Sequence, residues 1–236
     1  LGTSHVYNEI SAHATGATHF DSDVDTIFEI GGQDSKYIRL RNGVPVDYAM
    51  NNACCAGTGS FLEESAQGDL GVTVSEIADS ALAAASPVQL KATCAAFINS
   101  DIRIAFQQGQ SRENIVAGLV YAIAANYLTK VKGSRAVGKK VFLQGGVALN
   151  RAVGHAFAQS VDRLVVIPPD PELMGALGVA LLALTRSQGK TDSAADLFSL
   201  AAPEMESPGR FICKACGMEF SSQEELDAHA RAEHGA

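Results

Sequence analysis

Positive charge is scarce in this sequence: 18 Lys and Arg stand against 26 Asp and Glu, a formal net charge of −8 over 236 residues. Broad affinity for nucleic acid or an anionic membrane needs clustered Lys and Arg that displace counterions, so the balance argues against both, and any phosphate must be held locally. Long apolar runs are lacking too. The longest, GALGVALLAL at 175–184, is half a membrane span, and no charged-then-apolar leader opens the chain, so a cytoplasmic protein without a membrane partner is expected. The cysteines number five, two adjacent and two in a C-x-x-C, which is no disulfide framework and points to metal or redox sites in a reducing compartment. No solenoid repeat occurs. The chain starts at Leu1, and TSHVYNEISAHATGA reads as the middle of a domain, so a fragment is expected.

What is present suffices for one sizeable domain with a small appendage, since 47% of the residues are hydrophobic. TIFEIGG at 26–32 reads as a buried strand entering a tight turn. KYIRLRNGVPVDYAM at 36–50 reads as a hairpin turning at Asn42-Gly43, where glycine supplies the positive φ of a primed turn. Helices are predicted in SFLEESAQGDLGV and VSEIADSALAA. Ile115, Leu119, Ile123, Tyr127 and Val131 recur every four residues and predict an amphipathic helix packed on a sheet. KKVFLQGGVALN and LVVIPPDPELMGALGVALLAL each repeat strand, turn and helix, so an α/β domain with a mostly parallel sheet plus one hairpin is predicted. The organisation read from this is a domain over 1–184, a linker over 185–209 and a small tail over 210–236.

The strand-to-helix turns carry the chemistry. Glycine lets backbone N–H groups approach an anion closely, so EIGGQDSK at 29–36, AGTGS at 56–60 and QGGVALN at 144–150 are candidate phosphate cradles, although each alone also reads as a structural turn. Gln33, Asp34 and Lys36 add groups able to orient water, hold Mg²⁺ through water or contact a phosphate. Cys54 in NNACCAGTGSF and Cys94 in KATCAAFINSDIRIAF read either as small buried hydrophobes or as thiolates. As redox ligands, two cysteines cannot complete a cluster, so the other two would come from a second copy. Both precede predicted helices, whose N-termini favour thiolate.

In order and spacing, 29–36, 51–61, 94–101, 144–150 and 175–181 resemble the activator ATPases of 2-hydroxyacyl-CoA dehydratases and benzoyl-CoA reductases. This is the BadF/BadG/BcrA/BcrD family, within the superfamily of sugar kinases, heat-shock chaperone ATPases and actin, and the resemblance spans about 8–184. It implies an actin/sugar-kinase-like (RNase H-like) α/β ATPase fold and a homodimer holding one [4Fe-4S] cluster between subunits, its ligand positions here Cys54 and Cys94. Cys55 is an extra thiol beside the motif. The resemblance further implies that ATP hydrolysis, with Mg²⁺, drives one low-potential electron from a ferredoxin or flavodoxin to a dehydratase or reductase partner. Gln33 and Asp34 match catalytic positions. Gly31, Gly32, Lys36, Gly57, Thr58, Gly59, Gly145, Gly146 and Gly175 match nucleotide-binding ones.

The tail, Cys213-x2-Cys216-x12-His229-x4-His234 with Phe220 and Leu226 at the core positions, reads as a ββα C2H2 zinc finger outside that resemblance. Its base-reading positions would be Ser222, Glu225 and Ala228, none of them basic, so a structural or protein-contact role is expected rather than DNA recognition. His13 is expected near the cleft. The competing readings are a sugar-kinase-like phosphotransferase and a non-enzymatic zinc-finger adaptor with a degenerate ATPase half. Nothing in the 236 residues resembles the family's D-x-G-S-T phosphate loop. The polypeptide by itself is therefore expected to bind ATP weakly or not at all, and titration calorimetry that found tight binding would refute this.

Overall fold

A computed structural model describes residues 6–51, 57–91, 95–187 and 209–235. The first helix, α1 (Glu9–Phe20), starts where the Asn8 side chain accepts from the Ile10 and Ser11 N–H groups. Such a cap satisfies donors that the first helical turn leaves open. Then come β1 (Thr26–Ile30), buried along its whole length, β2 (Ser35–Arg41) and β3 (Val44–Met50). Asn42 and Gly43 have φ of 51° and 75°, the primed turn that the sequence predicts.

Four helices follow: α2 (Gly59–Leu70), α3 (Val74–Leu82), α4 (Ala95–Gln107) and α5 (Arg112–Asn126), the last continued by a π-helical turn over Tyr127–Lys132. Next are β4 (Lys140–Gln144), α6 (Arg151–Val161), β5 (Leu164–Ile167) and α7 (Met174–Ser187). Helix α7 thus runs past residue 184, where the linker was expected to begin, and 188–208 lie outside the described residues. The tail supplies β6 (Arg210–Ile212), β7 (Glu219–Phe220) and α8 (Gln223–His234).

The strands form one sheet in the order β3-β2-β1-β4-β5-β6-β7. Among the described residues, only β1–β4 and β4–β5 pair in parallel. The other pairings are antiparallel, so the expected mostly parallel sheet is corrected to a mixed one. A hairpin extends the parallel centre at each edge.

Alternation along the central strands serves two cores. Ile27, Ile38, Phe142 and Val166 face α1 on one side, while Phe28, Val141, Leu143 and Ile167 face α2 to α6 on the other. Helix α5 is not the one-faced helix that its fourfold spacing predicts. Val116, Ala117, Val120 and Ala124 are buried as well as Ile115, Leu119 and Ile123, because α5 is packed by α2, α3 and α6. The stretch Arg112–Lys132 is long and apolar enough to cross a membrane, though no unbroken apolar run marks it, and here it lies largely within the core. Its end seats Tyr127 beside Phe28 and Phe157, with centroids 5.0 and 5.4 Å apart.

On the other face α7 crosses α1 at backbone contact. A Cβ on Gly178 would stand 1.8 Å from the Ala12 carbonyl oxygen. Gly178→Ala must therefore push the helices apart and is expected to cost about 2–3 kcal/mol. Gly68→Ala, in α2 with nothing within 4 Å of the new Cβ, is expected to gain about 0.5–1 kcal/mol. Urea unfolding of the two variants should bracket the parent protein.

Candidate functional site

The glycine turns meet at the carboxyl ends of β1 and β4, where open α/β sheets bind ligands. Gly32, Gly59, Gly146, Leu62, Ile77 and Asn150 line a cleft of about 410 Å³ there. Gly145 is glycine for the fold's sake: its φ is +87°, and a Cβ would meet the Ile30 carbonyl oxygen at 2.2 Å. Gly32 and Gly146 differ. Each would point a Cβ at nothing within 4 Å. A bare backbone there suits a ligand lying against it.

The third turn braces the first. Gly59 N–H donates to the Gly31 carbonyl at 2.9 Å and Ser60 N–H to that of Gly32 at 2.8 Å. These two donors of α2 thus serve the protein rather than a phosphate. Gln33 donates its amide to Ser60 Oγ at 2.9 Å. Gly57 packs on the Tyr127 backbone, 3.2 Å from where its Cβ would be, and Thr58 is fully buried. Gly175 lies apart, beside the His13 ring in a second cleft of about 390 Å³ that Glu9, Glu29 and Glu172 also line.

Lys36 does not face the open cleft. Only 1% exposed, its Nζ contacts Asp34 Oδ2 at 2.7 Å, Glu9 Oε1 at 2.9 Å and Glu29 Oε2 at 3.1 Å. Burial disfavours the ammonium charge, but the hydrogen bond to Asp34, the charge of Glu29 and the bonds to Glu9 and Glu29 outweigh it, and the pKa is raised. Burial also pushes the Glu29 carboxyl above its usual range, partly offset by Lys36. Three carboxylates around one ammonium leave a net negative pocket, a donor set that fits a hard divalent cation such as Mg²⁺.

Behind them His13 lines the second cleft, but it is a buried helix residue and not the surface or loop residue that a scattered histidine suggests, with its Nδ1 3.1 Å from Gln144 Oε1. Gln144 is fully buried, and its Nε2 has no partner among the described residues. Sequence reasoning missed Glu9 altogether. Its one local signal was the i, i+4 spacing to His13, whereas its partner Lys36 comes from another element. Cys54, Cys55 and Cys94 lie outside the described residues.

The tail brings Cys213, Cys216, His229 and His234 together, with all four ligand atoms within 4.8 Å of one another. Cys216 Sγ and His234 Nε2 each lie 3.2 Å from His229 Nε2. Tetrahedral zinc, with bonds of about 2.0 Å to N and 2.3 Å to S, fits such spacing. Phe220 packs on the His229 ring, Leu226 is buried, and Ser222 caps α8 by accepting from Glu225 N–H.

Residues 1–183 match a profile of the BadF/BadG/BcrA/BcrD ATPase family. The chain is 37% identical over 193 residues to the activator of lactoyl-CoA dehydratase from Anaerotignum propionicum, covering 78% of this chain and 70% of that protein. The activator of 2-hydroxyisocaproyl-CoA dehydratase from Clostridium difficile, solved with bound ADPNP, superposes with a TM-score of 0.75 at 33% identity, over 81% of this chain and 72% of that one. Xylulose kinase from Rhodospirillum rubrum, at 16% identity and a TM-score of 0.50 over 94% of this chain and 47% of that one, shares the fold alone. The fold is the one shared by these activators and the sugar kinase.

Removing the ammonium should expose the cost of the carboxylates. Lys36→Met is expected to lose about 3–5 kcal/mol at neutral pH, since it leaves Glu29 buried and uncompensated. Glu29 would then bind its proton more tightly folded than unfolded, so the variant gains stability as pH falls and loses it as pH rises through the raised Glu29 pKa. Urea midpoints at pH 5.5 and 7.5 should show the deficit shrinking at the lower pH, and a constant deficit would refute the assignment.

Proposed function

This chain belongs to the BadF/BadG/BcrA/BcrD ATPase family, and from that premise we propose that it is an ATP-dependent activator of a 2-hydroxyacyl-CoA dehydratase or benzoyl-CoA-reductase-like partner. In this reading, ATP hydrolysis accompanies transfer of a low-potential electron, received from a ferredoxin or flavodoxin in the cytoplasm. The observation that carries the nucleotide part is the convergence of Gly32, Gly59 and Gly146 on one cleft with an acidic pocket behind it.

The chain's own residues divide the work. Gly32 and Gly146 let the nucleotide lie against the backbone, and the apolar wall of Leu62, Ile77 and Val147 takes its base. Glu29 and Asp34 are the residues that would hold Mg²⁺, which when bound would offset phosphate charge, and Lys36 fixes both carboxylates. Gln33, its amide anchored on Ser60, turns its carbonyl oxygen to orient the attacking water.

Cys54 and Cys94, with their counterparts in a second copy, are the proposed ligands of a [4Fe-4S] cluster, which when bound supplies the one-electron carrier. Their assignment rests on the C-x-AGTG register and on the start of α4 just after Cys94. Helix α4 supports a second copy from its surface. Phe97 and Ile104, seven residues apart and so on one face, are 69% and 49% exposed. In the tail, Cys213, Cys216, His229 and His234 hold structural zinc.

Anaerobic reconstitution is expected to give about two irons per monomer and a [4Fe-4S] signal by EPR on reduction. Cys54→Ser or Cys94→Ser should abolish both, while Cys216→Ser should retain the iron and lose the zinc. A colourless protein after reconstitution would refute the electron-transfer reading and leave the kinase-like and adaptor readings.

A further inference from the structure

The tail is built into the sheet. β6 pairs with β5 in the register Val166↔Phe211 and Ile167↔Arg210, covering an edge that β5 would otherwise present bare. Both faces of β6 are used. Phe211 packs on the core facing α1, and Ile212, 3% exposed, belongs to the core on the other side. The fit there depends on a glycine: a Cβ on Gly154 would come within 2.6 Å of Ile212 Cδ1. Around this strand, Lys214 Nζ pairs with Asp162 Oδ1 at 2.6 Å, and Gly217 lies against the His155 ring.

One side chain reaches further. Arg210 is held by Glu219 at 3.1 Å and donates through Nη2 to the Ala148 carbonyl at 3.3 Å. Ala148 is buried in the turn over Gly146–Leu149, whose Gly146, Val147 and Leu149 line the nucleotide cleft.

A hairpin of three and two paired residues with one short helix cannot hold itself together. In such modules, metal binding supplies the folding free energy. Cys213 follows β6 directly, so the ion that folds the finger also fixes the strand that covers β5. We propose that the finger is an intramolecular cover for the β5 edge whose docking depends on zinc, and that zinc occupancy, acting through Arg210, sets the order of the nucleotide-facing turn at 146–149. This rests on the zinc reading above. No nucleic acid is required: Ser222 and Glu225, two of the base-reading positions, are spent on the start of α8, where Glu225 also accepts from the Ser221 N–H and hydroxyl.

Hydrogen exchange read by mass spectrometry on the full chain, with zinc measured on the same samples, tests this. Stripping zinc with a chelator should speed exchange on the order of tenfold or more at 164–167 and 146–149 and leave β2, towards the opposite edge of the sheet, unchanged. Arg210→Ala should keep zinc and the protection of 164–167 and lose protection only at 146–149. Ile212→Asp should keep zinc, since Ile212 is no ligand, yet lose protection at 164–167, which separates docking from metal loading. Equal exchange at 164–167 with and without zinc would overturn the docking, and an unchanged 146–149 in Arg210→Ala would overturn the coupling. A chain that takes up no zinc overturns the metal reading first, and the metal measurement tells that failure from the others.

Discussion

One buried ammonium organises the end of this molecule where the glycine turns meet. Lys36 leaves β2 and meets Glu29 of β1, Asp34 of the connecting turn and Glu9 of α1, while its backbone carbonyl accepts from Tyr127 Oη at the end of the α5 helix. Burying an ion alone would cost several kcal/mol, so the site exists only because the partner charges arrive from separate elements. In return, it holds Glu29 and Asp34 in fixed positions beside the glycine turns. Preorganised carboxylates are what a Mg²⁺-dependent ATPase needs at that point. Four elements depend on one side chain, and the acidic pocket depends on all four.

The glycines divide by physical reason, not by motif. Gly145 and Gly178 are fixed by backbone contact, with carbonyl oxygens 2.2 and 1.8 Å from where a Cβ would stand. Gly57 and Gly175 fill close contacts with Tyr127 and His13. Only Gly32 and Gly146 leave open space toward the cleft. Sequence alone treats all of these as one class, because a Gly-Gly pair reads the same whether the second residue faces a neighbouring strand or a ligand. The same blindness applied to α5. Its fourfold spacing identified buried residues correctly but could not show that three neighbouring helices bury the remaining faces as well.

At the far edge of the sheet, the Cys- and His-bearing tail changes from an appendage to a strand of the domain. Its ligand spacing was legible in the sequence, as were Phe220 and Leu226. Its place was not, because Phe211 and Ile212 look like ordinary finger residues until β5 appears beside them. The link from Arg210 to Ala148 then joins the tail to the turn that rims the cleft.

By itself the sequence determined the α/β order of strands and helices, the Asn42-Gly43 hairpin, the three glycine turns, the Cys and His set of the tail and the family. These are local signals, carried by residues close together in the chain, where backbone sterics and ligand geometry act directly. The tertiary structure decided that the sheet is mixed, that Lys36 serves carboxylates rather than the open cleft, that Glu9 belongs to the site, and that β6 completes the sheet. Each of those is a contact between distant segments. Its free energy comes from desolvation and close packing, which have no value until the chain has brought both partners out of water.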